Sequence, residues 1–277
     1  RPHATKGPRL TAAPAFASDL AVPIPREGVS KTLRVNGIDL HTNVTKGTGE
    51  AVPLLVMNGI GARLELLQPF VDHISPERDV IRFDVPGVGQ SPLPKLPYRF
   101  MTLARTLGAA LDELGYTGDI DVLGISWGGA FAQQFARTER RRTRRLVLVS
   151  TTPGMVMVPA HPKVLMKMLD AKRYTDPDFL VEAAAELYGG TMRANPEVIR
   201  DALHAAGTDH SSLGYYFQIL CGLGWTSIPF LPLLKQKTLV LSGSDDPLIR
   251  TANVHILGHL ITNAETVIFD GGHLGMV

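Results

Sequence analysis

A single cysteine, Cys221, stands among 277 residues, so no disulfide closes within the chain and no cysteine-built metal site can be assembled. That scarcity fits a reducing compartment, and a cytoplasmic location is the expectation. Charge of one sign is lacking too: 28 Lys and Arg against 26 Asp and Glu leave a formal net charge of +2, too small to argue for nucleic acid or a membrane surface as partner. The local exception is Arg137, Arg140, Arg141, Arg142, Arg144 and Arg145, between a predicted helix and a predicted strand. This cluster reads as a solvated helix end, where cations complement the helix dipole, with an anionic surface such as a lipid-coated particle as the alternative. No stretch approaches the ~18 to 20 consecutive apolar residues of a membrane span, and the first thirty residues lack the apolar run of a secretory signal. A chain beginning at Arg1 still leaves room for a removed leader. The histidines form no ligand-like cluster, so neither a metal nor another cofactor is expected.

What is present is an ordinary globular composition, 44% apolar and 19% charged. Residues 1–30 are rich in Pro and Ala without periodicity and predict a flexible tail. Lys31 to Val35 and Ile38 to Val44 alternate around Asn36-Gly37, a dipeptide suited to a tight hairpin. Short apolar runs then follow at Pro53 to Met57, Asp79 to Phe83, Ile120 to Leu123, Arg145 to Val149, Thr238 to Leu241 and Thr266 to Phe269. Helical patterns separate them at Leu64 to Ile74, Met101 to Leu114, Gly129 to Ala136 and Ala252 to Ile261. Runs apolar on both faces and alternating with helices predict an α/β fold with a mostly parallel central sheet covered on both sides. The alternation breaks after Val149 and resumes at Thr238. Residues 31–152 and 235–277 therefore form the expected core, and 153–234 an inserted helical lid with helices at Pro177 to Leu187 and Pro196 to Ala206.

The chemistry centres on Gly124-Ile125-Ser126-Trp127-Gly128-Gly129, between a predicted strand and a predicted helix. A serine on so sharp a turn needs glycine two residues away on either side, because side chains there would collide with the backbone. A helix-capping serine in a Gly-rich turn is the bland reading; the strand before and the helix after favour a nucleophile. Serine is a poor nucleophile at neutral pH and requires a histidine base oriented by an acid, and in the α/β-hydrolase arrangement both follow the serine, acid first. Asp245-Asp246-Pro247 follows the strand near Leu241, and Gly271-Gly272-His273 follows the one ending at Phe269, so each stands past a strand's carboxyl end. One aspartate should reach the imidazole while the other caps the loop; chemistry alone leaves open which. Asn58-Gly59-Ile60-Gly61 follows the strand ending at Met57, and the oxyanion donors are assigned to the backbone N–H groups of Ile60 and Trp127. Met155, Met157, Phe217 and Trp225 are candidates for an apolar substrate pocket within the insertion, although Met and aromatic residues at such density more often pack a core.

With these residues together, the chain resembles the intracellular medium-chain-length poly(3-hydroxyalkanoate) depolymerases, a branch of the α/β hydrolases. The similarity runs from about Leu33 to Leu274. It rests on Asn58-Gly59-Ile60-Gly61-Ala62, Asp84-Val85-Pro86-Gly87-Val88-Gly89, Pro97-Tyr98-Arg99-Phe100, Ser126-Trp127-Gly128-Gly129-Ala130, Gly222-Leu223-Gly224-Trp225-Thr226-Ser227 and Asp245-Asp246-Pro247-Leu248-Ile249. The resemblance implies Ser126 as nucleophile, His273 as base and Asp246, rather than Asp245, as acid. It implies an ester or polyester substrate, at a storage-granule surface in one version, with release of 3-hydroxy acids or oligomers. It also implies a further C-terminal helix that would follow Val277. Two alternatives keep their place: a small-molecule carboxylesterase, thioesterase or carbon–carbon bond hydrolase using the same triad, and a noncatalytic ligand-binding protein of the same fold. Oligomeric state, side-chain length preference and endo or exo cutting are open at this level.

Overall fold

Asn36 (φ 51°) and Gly37 (φ 77°) both adopt the left-handed conformation that a two-residue hairpin turn needs, and they join β2 (Val29–Val35) to β3 (Ile38–Thr45) in an antiparallel pair. The computed structural model describes residues 10–12, 25–170, 172, 176–195 and 212–275. Beyond the hairpin come β4 (Ala51–Met57), β5 (Arg78–Phe83), β6 (Ile120–Ile125), β7 (Thr143–Val149), β8 (Lys237–Gly243) and β9 (Ala264–Phe269). Each contains the apolar run that predicts it. Together with β1 (Leu10–Ala12) they form one sheet ordered β1-β9-β8-β7-β6-β4-β5-β3-β2. All neighbours are parallel except β2 with β3 and β3 with β5.

The residues of β6 are all buried, as expected of a central strand covered on both faces. Side chains alternate between two cores. Leu55, Met57, Ile81, Val122 and Leu148 join one apolar cluster, while Leu54, Val56, Val80, Leu123 and Val149 join another. The first is closed by α2 (Phe100–Glu113) and α3 (Trp127–Thr138), through Phe100, Leu103, Phe131 and Phe135. The second is closed by Leu67 and Val71. There the helix predicted over Leu64 to Ile74 divides into a 3₁₀ turn, Leu64–Leu67, and a short α1, Gln68–Asp72. Pro69 explains the break: without an N–H it cannot donate to the carbonyl of Glu65, so it is tolerated only in the first turn of a new helix.

Between β7 and β8 the insertion supplies α4 (Pro162–Leu169), α5 (Pro177–Tyr188), α6 (Gly190–Ala194) and α7 (Ser212–Gly222). Asp176 caps α5, its Oδ1 accepting from the N–H groups of Asp178 and Phe179, both at 3.1 Å. Leu180, Ala184 and Leu187 of α5 make a separate small core with Val164 of α4, Met192 of α6 and Leu248, which lies beyond β8. The helix predicted over Pro196 to Ala206 lies outside the described residues. After β8, α8 (Thr251–Leu260) packs Val254 and Leu257 into the first core.

Two further expectations change. Within residues 1–30, for which no strand is predicted, Leu10–Ala12 run parallel to Thr266, Val267 and Ile268 of β9. Three residues are too few to show periodicity, and the pairing partner lies at the other end of the sequence. The arginine cluster is also partly structural. Arg142 pairs with Asp112 (2.7 Å) and Glu139 (3.1 Å), and Arg144 with Asp121 (2.6 Å), which Arg78 also engages at 2.7 Å. Burial by itself would raise the Asp121 carboxyl, but Arg144 and Arg78 outweigh it and hold the group below the usual carboxylate range.

Candidate active site

Ser126 sits between β6 and α3 with φ 55° and ψ −118°, a region costing a non-glycine residue about 1–3 kcal/mol. Its N–H donates to the Val149 carbonyl at 2.9 Å, and its own carbonyl accepts from the Thr151 hydroxyl at 2.6 Å. The glycines two residues either side are sterically required. A Cβ on Gly124 would lie 2.3 Å from the Gly128 carbonyl oxygen, and one on Gly128 would lie 2.2 Å from that of Met57. The turn thus holds a half-exposed serine at the carboxyl edge of the sheet.

At the same edge, the loop after β8 brings Asp246 to His273, which follows β9. Asp246 Oδ2 stands 2.8 Å from His273 Nδ1, and the Asp246 side chain has no exposed surface. Asp246 Oδ1 is occupied by the N–H groups of Leu248 (3.0 Å) and Ile249 (2.8 Å). A carboxylate only accepts, so neutral His273 carries its proton on Nδ1 and leaves Nε2 free to accept one. The His273 N–H donates to the Tyr188 carbonyl at 2.7 Å, and the Tyr188 ring stacks on the imidazole at 6.2 Å between centroids.

Asp245 faces the other way. It takes a bidentate pair from Arg193, 2.9 and 3.1 Å, and the Gly190 N–H at 2.8 Å. The Arg193 guanidinium, followed by the Gly190 N–H, holds its carboxyl below the usual carboxylate range. The expected division, one aspartate on the imidazole and the other capping the loop, therefore differs in detail. Asp246 does both, because an aspartate's second oxygen naturally reaches the N–H groups two and three residues on, and Asp245 instead ties the loop to the insertion.

The Asn58-Gly59-Ile60-Gly61 loop lies beside the elbow: a Cβ on Gly59 would stand 3.7 Å from that of Ser126. Asn58 braces it, its Oδ1 accepting from Gly59 N–H at 2.8 Å and its Nδ2 donating to the Arg63 carbonyl at 2.7 Å. Trp127 is the first residue of α3, where an N–H has no acceptor within the helix. Both predicted donor segments thus flank Ser126. Gln218 of α7, absent from the sequence reading, accepts the Gly61 N–H on its side-chain Oε1 at 2.7 Å, and its main-chain carbonyl accepts the Trp127 indole N–H at 3.0 Å. Tyr188 and Arg193 are likewise missed by sequence. No local pattern marks these three, since their partners are distant in the chain.

The pocket candidates separate. Met155 is exposed and Met157 half-buried, whereas Phe217 lies in the first core. Trp225 packs edge-to-face with Phe100, the ring centroids 4.9 Å apart, and donates from Nε1 to Gln134 Oε1 at 2.9 Å. Those contacts make Trp225 a bolt between the insertion, α2 and α3. Trp225→Ala is expected to lower the unfolding free energy by about 3 kcal/mol, read by urea denaturation. A loss under about 1 kcal/mol would show that the contacts carry little stability.

Among the described residues no group of three or more His, Cys, Asp and Glu could hold a metal ion, and no helix is long and apolar enough to cross a membrane. A mostly parallel sheet with a positive-φ serine between strand and helix, and a buried acid–histidine pair at the same edge, defines a serine hydrolase of the α/β type. The profile of the alpha/beta hydrolase fold family matches residues 52–277, and the chain belongs to that family. It is 44% identical, over 255 residues, to the poly(3-hydroxyalkanoate) depolymerase of Ectopseudomonas oleovorans, an alignment covering 92% of this chain and 89% of that protein. Among solved structures it is similar to the enol-lactonase of Burkholderia xenovorans LB400, with a TM-score of 0.76, 24% identity, and coverage of 89% of this chain and 94% of that one. The thermophilic esterase of Thermogutta terrifontis superposes with a TM-score of 0.73 at 22% identity, over 90% and 93% of the two chains. At these identities the two structures speak to the fold alone.

Proposed function

We propose that this serine hydrolase cleaves the ester bonds of a poly(3-hydroxyalkanoate) through an acyl-enzyme on Ser126, releasing 3-hydroxy acids or short oligomers. The observation that carries the chemistry is the Asp246–His273 contact at the edge of the sheet where the elbow presents Ser126. The 44% identity to a depolymerase along most of both chains supports the choice of substrate.

In this reading His273 Nε2 takes the proton of the Ser126 hydroxyl as the oxygen attacks the ester carbonyl. Asp246 holds the imidazole in the tautomer that makes this possible and stabilises the imidazolium that forms. The carbonyl oxygen becomes an oxyanion facing the N–H groups of Ile60 and Trp127. The imidazolium then protonates the departing alcohol, which for a polyester is the hydroxyl of the next unit, and water repeats the sequence on the acyl-enzyme. Residues 153–234 act as the lid. Their own small core rests on Leu248 of the acid loop, and the Tyr188 carbonyl grips His273, so lid and base are in contact. A cytoplasmic location beside a storage granule accompanies this substrate.

Activity should rise with acyl length from butyrate to octanoate p-nitrophenyl esters. Each methylene buried in the transition state contributes about 0.8 kcal/mol, roughly fourfold in rate. Rates on butyrate, hexanoate, octanoate and decanoate esters, beside medium- and short-chain polyester suspensions, test this; an optimum at butyrate or shorter would reject the medium-chain reading.

A further inference from the structure

The two donor segments of the proposed oxyanion hole come from different parts of the chain, and one residue of the insertion touches both. Gln218 Oε1 accepts the Gly61 N–H at 2.7 Å, one residue beyond Ile60. Its main-chain carbonyl accepts the Trp127 indole N–H at 3.0 Å. The residue is fully buried, and its amide Nε2 has no hydrogen-bond partner among the described residues. Burying a polar amide is costly unless its groups are paired, and a site that needed only packing would be filled better by methionine or leucine. The polarity at position 218 is therefore explained by what Oε1 does.

We propose that Gln218 is a positioning residue of the oxyanion hole: it fixes the Asn58–Gly61 loop against the elbow so that the Ile60 N–H is aimed before substrate arrives. Preorganised donors act without reorganisation at the moment of reaction, so loosening one loop reduces transition-state stabilisation more than substrate binding. The insertion is then part of the catalytic apparatus as well as a cover. The proposal rests on the serine-esterase reading above.

Gln218→Met tests it, because it keeps side-chain length and removes the acceptor while the main-chain bond to Trp127 survives. On p-nitrophenyl octanoate, kcat is expected to fall about tenfold to a hundredfold with KM within threefold, since loss of a whole donor marks the upper bound near 10²–10³. The rate at which an alkyl phosphonofluoridate labels Ser126 should fall in parallel, because phosphonylation passes through the same hole. Should Gln218→Met fail to fold, Gln218→Asn, whose amide ends one methylene short of Gly61, is read in the same way. Two outcomes overturn the proposal while leaving the esterase reading intact. One is a folded variant with kcat and labelling rate within threefold of wild type; the other is a lower titre of labelled sites at an unchanged rate per site, which marks a structural role only. Wild-type protein that neither hydrolyses esters nor is labelled at Ser126 would remove the esterase reading, and this proposal with it.

Discussion

Replacing Ser126 with alanine is expected to lower kcat for ester hydrolysis by about 10⁴–10⁶-fold while leaving the fold in place, because nucleophile, base and acid act as a unit. The fold should survive because the elbow is held by its backbone and its glycines. The Ser126 N–H and carbonyl bonds to Val149 and Thr151, and the close approach of Gly128 to Met57, do not involve the hydroxyl. Unfolding free energy should stay within about 0.5 kcal/mol of wild type. A folded Ser126→Ala protein keeping more than about a tenth of the rate would end the nucleophile assignment, as would mapping of an organophosphonate label to another residue.

Asp246→Asn should cost about 10³–10⁴-fold in kcat, and Asp245→Asn less than about threefold. The asymmetry follows from what each oxygen holds. In Asp246→Asn the remaining carbonyl oxygen would still accept from Leu248 and Ile249, which turns an amide NH₂ toward His273 Nδ1. The imidazole would then present its lone pair on Nδ1 and its proton on Nε2, where it cannot accept one from Ser126. Asp245 is half exposed, and its pair with Arg193 is of the solvent-screened kind that contributes little. Steady-state kinetics of the two variants, with circular dichroism to verify folding, decide. Greater damage at Asp245 would reverse the assignment.

The parts of this molecule legible in the sequence are those whose cause lies within a few residues. The hairpin at Asn36-Gly37 follows from conformations that those residue types tolerate. The elbow follows from Gly124 and Gly128, each needed because a neighbouring backbone leaves no space for a Cβ. The helix over Leu64 to Ile74 was legible only in part, since its hydrophobic spacing is continuous and the interruption comes from one missing N–H at Pro69.

By itself the sequence determined the order of strands and helices, the serine at a strand-to-helix turn, and the placing of an acid and a histidine after later strands, because periodicity and glycine spacing are short-range properties. Residue chemistry left open which aspartate meets His273, since Asp245 and Asp246 are alike and adjacent; the family resemblance implied Asp246, and the tertiary structure shows the contact itself, made by a carboxylate that faces a residue 27 positions away. Only the tertiary structure put Trp225 in a packed contact with Phe100, brought Leu10–Ala12 to the edge of β9, and set Gln218 across both halves of the proposed oxyanion hole. Such contacts join residues tens to hundreds of positions apart, and their energies depend on distance in space, which no local pattern encodes.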